Sequence, residues 1–316
     1  MILCCGDALI DMLPVELADG RRAFVPHAGG AVFNTAVALG RLGVGTGFFN
    51  GLSTDLFGDM LAAELAASGV DFSLCPRTSQ PTTLAFVTLE DGHARYHFYD
   101  EATASRLLSP AGLPTLAKDV RALFFGGISL VAEPCGSAFE ALMTRERASR
   151  LVMIDPNIRP GFVTDEAAYR ARLMRMMAGA DIVKLSDEDL DWISPDADAF
   201  IGELLAAGPS LVLATHGARG ATGHISGRTI SVPPRPAAIV DTVGAGDAFN
   251  AGFLEALDGL CRLDKDALRA MGEGDLRLCL DRAAEVAAVA VSRPGANPPW
   301  AADISAPAWR LLAARA

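Results

Sequence analysis

The sequence predicts an α/β protein in which a largely parallel sheet carries helices on both faces, with a small antiparallel sheet beside it. Three observations carry that expectation. Short apolar runs of strand length at Met1–Cys5, Ala122–Gly126, Leu151–Ile154, Asp181–Leu185 and Ser210–Thr215 alternate with longer stretches of helical period. Arg21–Pro26 and the pair Thr82–Leu89 and Ala94–Tyr99 read instead as strands with no helix between them, the pair flanking Asp91-Gly92, a strong hairpin turn. Finally, 316 residues exceed the usual ~100–200 of a domain, yet no low-complexity linker or solenoid repeat interrupts them. One domain over residues 1–316 is expected, with the extra sheet built from about residues 11–28 and 80–101 as a lid or dimer surface.

Taken in order, the opening run ends at Gly6-Asp7, where the apolar stretch gives way to a turn. Residues 31–42 follow a helical pattern closed by Gly43, and residues 56–68 a second one closed by Gly69. The hairpin segment comes next. The four later apolar runs then supply buried strands, and the Ala-rich stretch Leu276–Val291 a final helix.

Charge narrows the function. With 27 Lys and Arg against 38 Asp and Glu, the formal net charge is -11, which argues against nucleic-acid and anionic membrane surfaces. Any anionic ligand must be held locally, by backbone donors, a metal or a few placed cations. The six cysteines lack CxxC spacing and mostly sit in apolar runs, so buried free thiols and a cytoplasmic location are expected. The opening MILCCGDALID offers only a short apolar run before Asp7 without a basic stretch, and no 18 uncharged apolar residues run together, so neither secretion nor a membrane span is expected.

The most informative segment is Val240-Asp241-Thr242-Val243-Gly244-Ala245-Gly246-Asp247-Ala248-Phe249, leading into a helical pattern. Gly244 and Gly246 leave backbone N–H groups free to converge at the positive end of a helix, a nest for phosphate oxygens. A carboxylate at Asp247 is out of place beside a mere anion site, but suits a base that takes the proton of an attacking hydroxyl. Taken alone, a GxGD turn with Asp247 as a helix cap is the commoner arrangement. Neither a GxxxxGK[ST] loop nor a GxGxxG opening a helix after a strand occurs.

In context the segment resembles the C-terminal signature of the ribokinase-like (PfkB) carbohydrate kinases. The partner signature lies upstream in the family's order: Gly29-Gly30-Ala31-Val32-Phe33-Asn34, then Arg41-Leu42-Gly43, then Gly51–Gly58. The resemblance spans Gly6 to Pro299. It implies a three-layer α/β/α core with a mostly parallel sheet plus a small antiparallel β lid, and an ATP- and magnesium-dependent sugar kinase. By that resemblance Asp247 is the base, and Gly244, Ala245 and Gly246 form the anion hole. Asp11, Gly29, Gly30 and Asn34 bind sugar hydroxyls, while Ser186, Thr215, Gly217 and Gly220 line the nucleotide. Asp189 stands where the family places a magnesium-linked Glu; one methylene shorter, it works through an extra water, or Glu188 substitutes. Asp241, with the Val243 backbone, falls where many members hold a monovalent cation, so potassium is a further candidate.

Softer signals, Arg159 in Asp155–Arg159, Arg95 with Phe98-Tyr99, and Ser292–Pro299, lean toward the fructokinase branch. The alternatives are a 2-keto-3-deoxygluconate kinase, a ribokinase-type kinase and, in a different class, a non-catalytic sugar-binding member. Asp100 and Glu101 disfavour an anionic acceptor if they face the pocket. An exposed lid sheet suggests a homodimer.

Overall fold

Strand parity explains the long apolar runs. In Met1–Cys5 the side chains of Ile2 and Cys4 enter one apolar cluster and those of Leu3 and Cys5 another, so both faces of the strand are covered and no polar alternation survives. The computed structural model describes residues 1–90, 93–225, 227–307 and 309, with the side chains of these except 89, 90 and 93–95. The Asp91-Gly92 turn and the Arg95 side chain lie outside the described residues.

The chain runs through β1 (Ile2–Gly6), β2 (Leu9–Glu16), β3 (Arg22–Gly29), α1 (Ala31–Arg41), β4 (Thr46–Phe49), β5 (Leu52–Ser53), α2 (Leu56–Ala67), β6 (Arg77–Thr78), β7 (Leu84–Glu90) and β8 (His93–Tyr99). There follow β9 (Ala122–Gly126), α3 (Cys135–Glu146), β10 (Leu151–Asp155), α4 (Glu166–Gly179), β11 (Ile182–Ser186), α5 (Asp187–Ile193), α6 (Ala197–Ala207) and β12 (Leu211–Thr215). The last elements are β13 (Ala221–Ile225), β14 (Arg228–Val232), α7 (Ala245–Gly259), α8 (Lys265–Arg269) and α9 (Glu273–Val291).

The main sheet has the order β14-β13-β12-β11-β10-β9-β1-β4. Its pairings from β4 to β12 are parallel, while β13 and β14 add an antiparallel edge. One face carries the cluster that includes α1, α7 and α9, the other the cluster that includes α3, α4 and α6. The expected α/β/α layering is present.

The second sheet, β3-β2-β7-β8, consists of two antiparallel pairs joined by a parallel β2–β7 contact. The β13–β14 hairpin carried no clear sequence signal. Gly223 in its first strand lies against Leu276 and Leu280 of α9, so a position that packs by close approach offers no apolar side chain to read. Of the six thiols, five are buried, and Cys261 is exposed.

Candidate active site

Parallel strands deliver their carboxyl ends to one edge, and the site gathers there. The loop before α7 turns at Gly244, whose φ of 77° is left-handed and therefore suits glycine. Ala245 N–H donates to Thr242 O at 3.2 Å within that turn. Gly246 and Asp247 follow in the first helical turn, whose N–H groups have no acceptor four residues back inside the helix.

Asp247 is 7% exposed. Asn34 Nδ2 of α1 donates to its Oδ2 at 2.9 Å, and Thr35 Oγ1 donates to its backbone oxygen at 3.3 Å. Burial pushes the Asp247 carboxyl up to about 7; the Asn34 bond and Lys184 oppose the rise, and Asp155 and Asp7 add to it. A carboxylate in this setting accepts a proton near neutral pH, beside amides that suit an anion.

Asp11 lies in β2, opposite His27 of β3. Gly29 makes room for its carboxylate, since a methyl there would collide with Asp11 Oδ2. Burial, with Asp7 nearby, raises Asp11 to about 7. Gly30 adopts φ 109°, and a Cβ on it would stand 2.7 Å from Asp7 O. That geometry lets Asp7 receive the N–H groups of Ala31 and Val32, both at 3.2 Å, and so cap α1.

Arg159 is exposed, and its charge acts on Asp7 and on the Tyr96 phenol. Phe98 packs with Leu9, Ala85 and Ile128 and meets Phe162 edge-on at 5.0 Å. Tyr96 was passed over by sequence reasoning, although strand parity puts it on the same face as Phe98. Its ring stacks on Phe98 at 6.1 Å, and burial together with Asp11 raises its hydroxyl.

In the segment expected to line a nucleotide, Ser186 and Asp189 form a reciprocal capping box on α5. Asp189 Oδ2 accepts from Ser186 N and Oγ at 2.8 and 2.6 Å, and Oδ1 accepts from Ile158 N at 2.7 Å. Both its oxygens are thus engaged by protein donors, and Glu188 beside it is exposed. Thr215 ends β12, followed by Gly217 and Gly220 at φ 52° and 96°. His216 between them bridges Asp187 at 2.6 Å and Thr222 at 3.2 Å. Asp241 spends its two oxygens on Val243 N and Gly295 N, at 3.0 and 2.9 Å.

Asp100 does not face an acceptor as a free charge. Thr83 Oγ1 at 2.7 Å, Thr103 Oγ1 at 3.2 Å and the Arg106 guanidinium at 3.5 Å all surround its carboxylate, so it offers no argument against an anionic acceptor. Glu101 is exposed. Among the described residues no three His, Cys, Asp or Glu side chains converge as a metal cage. The residues suit magnesium only as an ion carried on phosphate oxygens and waters.

Residues 1–303 match the family model described as pfkB family carbohydrate kinase. The chain is 51% identical over 279 residues, 88% of its length and 86% of the relative, to a fructokinase of Rhizobium leguminosarum bv. trifolii. It is similar to the crystal structure of fructokinase with bound ATP from Xylella fastidiosa, with TM-score 0.86, 34% identity and 93% of each chain covered. A Vibrio cholerae O395 fructokinase double mutant bound to fructose, ADP and potassium ion superposes with TM-score 0.81 at 25% identity, again covering 93% of each chain.

Proposed function

Because this chain belongs to the pfkB family of carbohydrate kinases, we propose that it moves the γ-phosphoryl group of ATP to a hydroxyl of fructose, with Asp247 as the base. The observation that carries the reading is the hydrogen bond from Asn34 to Asp247, which joins an acceptor-side helix to the carboxylate at the head of α7. The acceptor lies between Asp11, Gly29, Gly30, Asn34 and the Tyr96–Phe98 face, with Arg159 at the rim. Its attacking hydroxyl gives its proton to Asp247 while amides of Gly244, Ala245 and Gly246 face the transferring group. For Ala245, that requires its N–H to leave Thr242 O.

ATP lies along Ser186, Thr215, Gly217 and Gly220. Glu188 or Asp189 would hold magnesium through water, and the ion, carried mainly on the nucleotide's own phosphates, would supply charge neutralisation there. Potassium, which the Vibrio cholerae relative binds, would lie at the Asp241 loop, where the family resemblance places a monovalent cation. No described helix is long and apolar enough to cross a membrane; use of ATP and six unpaired thiols support a cytoplasmic location.

A second reading, a 2-keto-3-deoxygluconate kinase, draws on Arg159, a cation at the rim with no carboxylate partner among the described residues. A sugar panel with coupled ADP detection tests both. Fructose should give the highest kcat/KM. Preference for the sugar acid would replace the first reading with the second, preference for ribose would make it a ribokinase-type kinase, and absence of any sugar-stimulated ADP would leave a non-catalytic sugar-binding protein.

A further inference from the structure

Strand parity that buries Leu151 and Met153 of β10, and Ile182 of β11, against the α7 side sends the next same-face residues, Asp155 and Lys184, to that side too. They are the sheet's charged residues beneath α7. Lys184 is 4% exposed and Asp155 2%, and Lys184 Nζ stands 3.0 Å from Asp155 Oδ2. The ammonium also lies against the Gly244–Gly246 loop: a Cβ on Gly246 would stand 3.3 Å from Lys184 Nζ, its one neighbour within 4 Å beyond its own helix and adjoining residues. Asn250, one turn below Gly246 on α7, donates to Asp155 Oδ2 at 2.7 Å.

This is poor design for a purely structural ion pair. Asp155 Oδ1 and Asn250 Oδ1 are buried without partners, and Asp155 is the one acceptor recorded for Lys184 among the described residues. Buried ion pairs contribute to stability only when their remaining sites are satisfied. Unsatisfied groups of this kind concentrate where function sets the arrangement. The ammonium keeps donors to spare, on the side of the loop where phosphate oxygens are expected, in a molecule of net charge -11.

We propose that Lys184 is a catalytic cation that contacts the transferring phosphoryl group, and that Asp155, anchored by Asn250, is the positioning residue that holds it beside Gly246. The proposal rests on the kinase reading of the site. The acceptor oxygen bonds to the γ-phosphorus as the bond to the β,γ-bridging oxygen breaks. The hydroxyl proton passes to Asp247 and the electron pair leaves with ADP. Lys184 stays protonated throughout, its ammonium offsetting charge on the equatorial oxygens.

The test compares Lys184→Met and Asp155→Asn with the wild type. Calorimetric binding of a non-hydrolysable ATP analogue and of ADP needs no assumption about the base. Lys184→Met should weaken the analogue at least tenfold more than ADP, and lower kcat by about 10²–10³-fold, as loss of one transition-state donor does, with sugar KM little changed. Equal weakening of both nucleotides, or kcat within threefold of wild type, overturns the proposal.

The pH profile of kcat separates positioning from packing. The charges acting on Asp247 are Asp155, Asp7 and Lys184, from three different strands or their ends. Removing Lys184 should move the acid limb to higher pH, and neutralising Asp155 should move it to lower pH. Loss of activity in Asp155→Asn with an unmoved limb assigns it a structural part only. If Lys184→Met does not fold, Asn250→Ser keeps both charges and carries the test. It must lower kcat about tenfold without changing ADP affinity, and unchanged kcat overturns the proposal. Nucleotide discrimination lost while Asp247→Asn stays active would fail the base and spare Lys184.

Discussion

At Asp247 two physical demands compete. A helix N-terminus favours the carboxylate, yet burial and the nearby acids prevail and raise the carboxyl to about 7. Turnover should therefore climb as pH rises through about 7, and Asp247→Asn should lose about 10²–10⁴ in kcat while retaining ATP affinity by calorimetry; near-normal turnover would remove it as the base. The same shift has a stability consequence of opposite sense. The folded protein keeps a proton on Asp247 that the unfolded chain, near its ordinary value of 3.8, has released. Stability is thus lost as pH rises from about 4 to about 7. In the ligand-free protein Asp247→Asn should raise Tm at pH 8 and change it less at pH 5, as scanning calorimetry would read. Asp11, also raised to about 7, should impose the same direction on kcat/KM for the sugar.

At the scale of elements, caps and glycines connect the site to the frame. Asp55 caps α2 through Gly58 N–H at 2.7 Å and also binds Thr82 N and Oγ1 at 2.8 and 2.7 Å, just before β7. Asp55→Ala should cost about 0.5–2 kcal/mol through the lost cap, read as a lower denaturation midpoint, and should weaken sugar binding by loosening the second sheet. Gly30→Ala, strained at φ 109° and pressed on Asp7 O, should destabilise by about 1–3 kcal/mol. The apolar runs and the glycine punctuation made β1, β9–β12, α1 and α2 legible, because each covers both faces or ends on a turn residue. Tyr96, Lys184 and Asp155 were not legible as a site. Their significance depends on which face of a strand meets α7 or the second sheet, and one sequence states that only through parity. Asp189 was legible by position, but the capping box that occupies its oxygens depends on the turn geometry at Ser186.

For the molecule as a whole, the second sheet packs on the core through Ile10, Met12 and Leu84 and leaves the rest of that face uncovered. Phe24 and Tyr99 are exposed on it, and Phe86 meets both edge-on at 5.0 and 5.4 Å. An apolar face of this kind is expected to pair with a second copy. Light scattering should then report about twice 33.0 kDa, and Phe24→Glu should return the mass toward one chain; a single-chain mass in the unaltered protein would remove the dimer. A formal net charge of -11 disfavours polyanions at long range, so ATP must be recognised by groups placed locally around Gly244–Gly246. The Asn34–Asp247 bond joins residues 213 positions apart. During synthesis the first half of the chain reaches solution well before α7 exists, so a nascent chain on the ribosome has no phosphoryl chemistry to misdirect, and competence arrives only as the last helices dock.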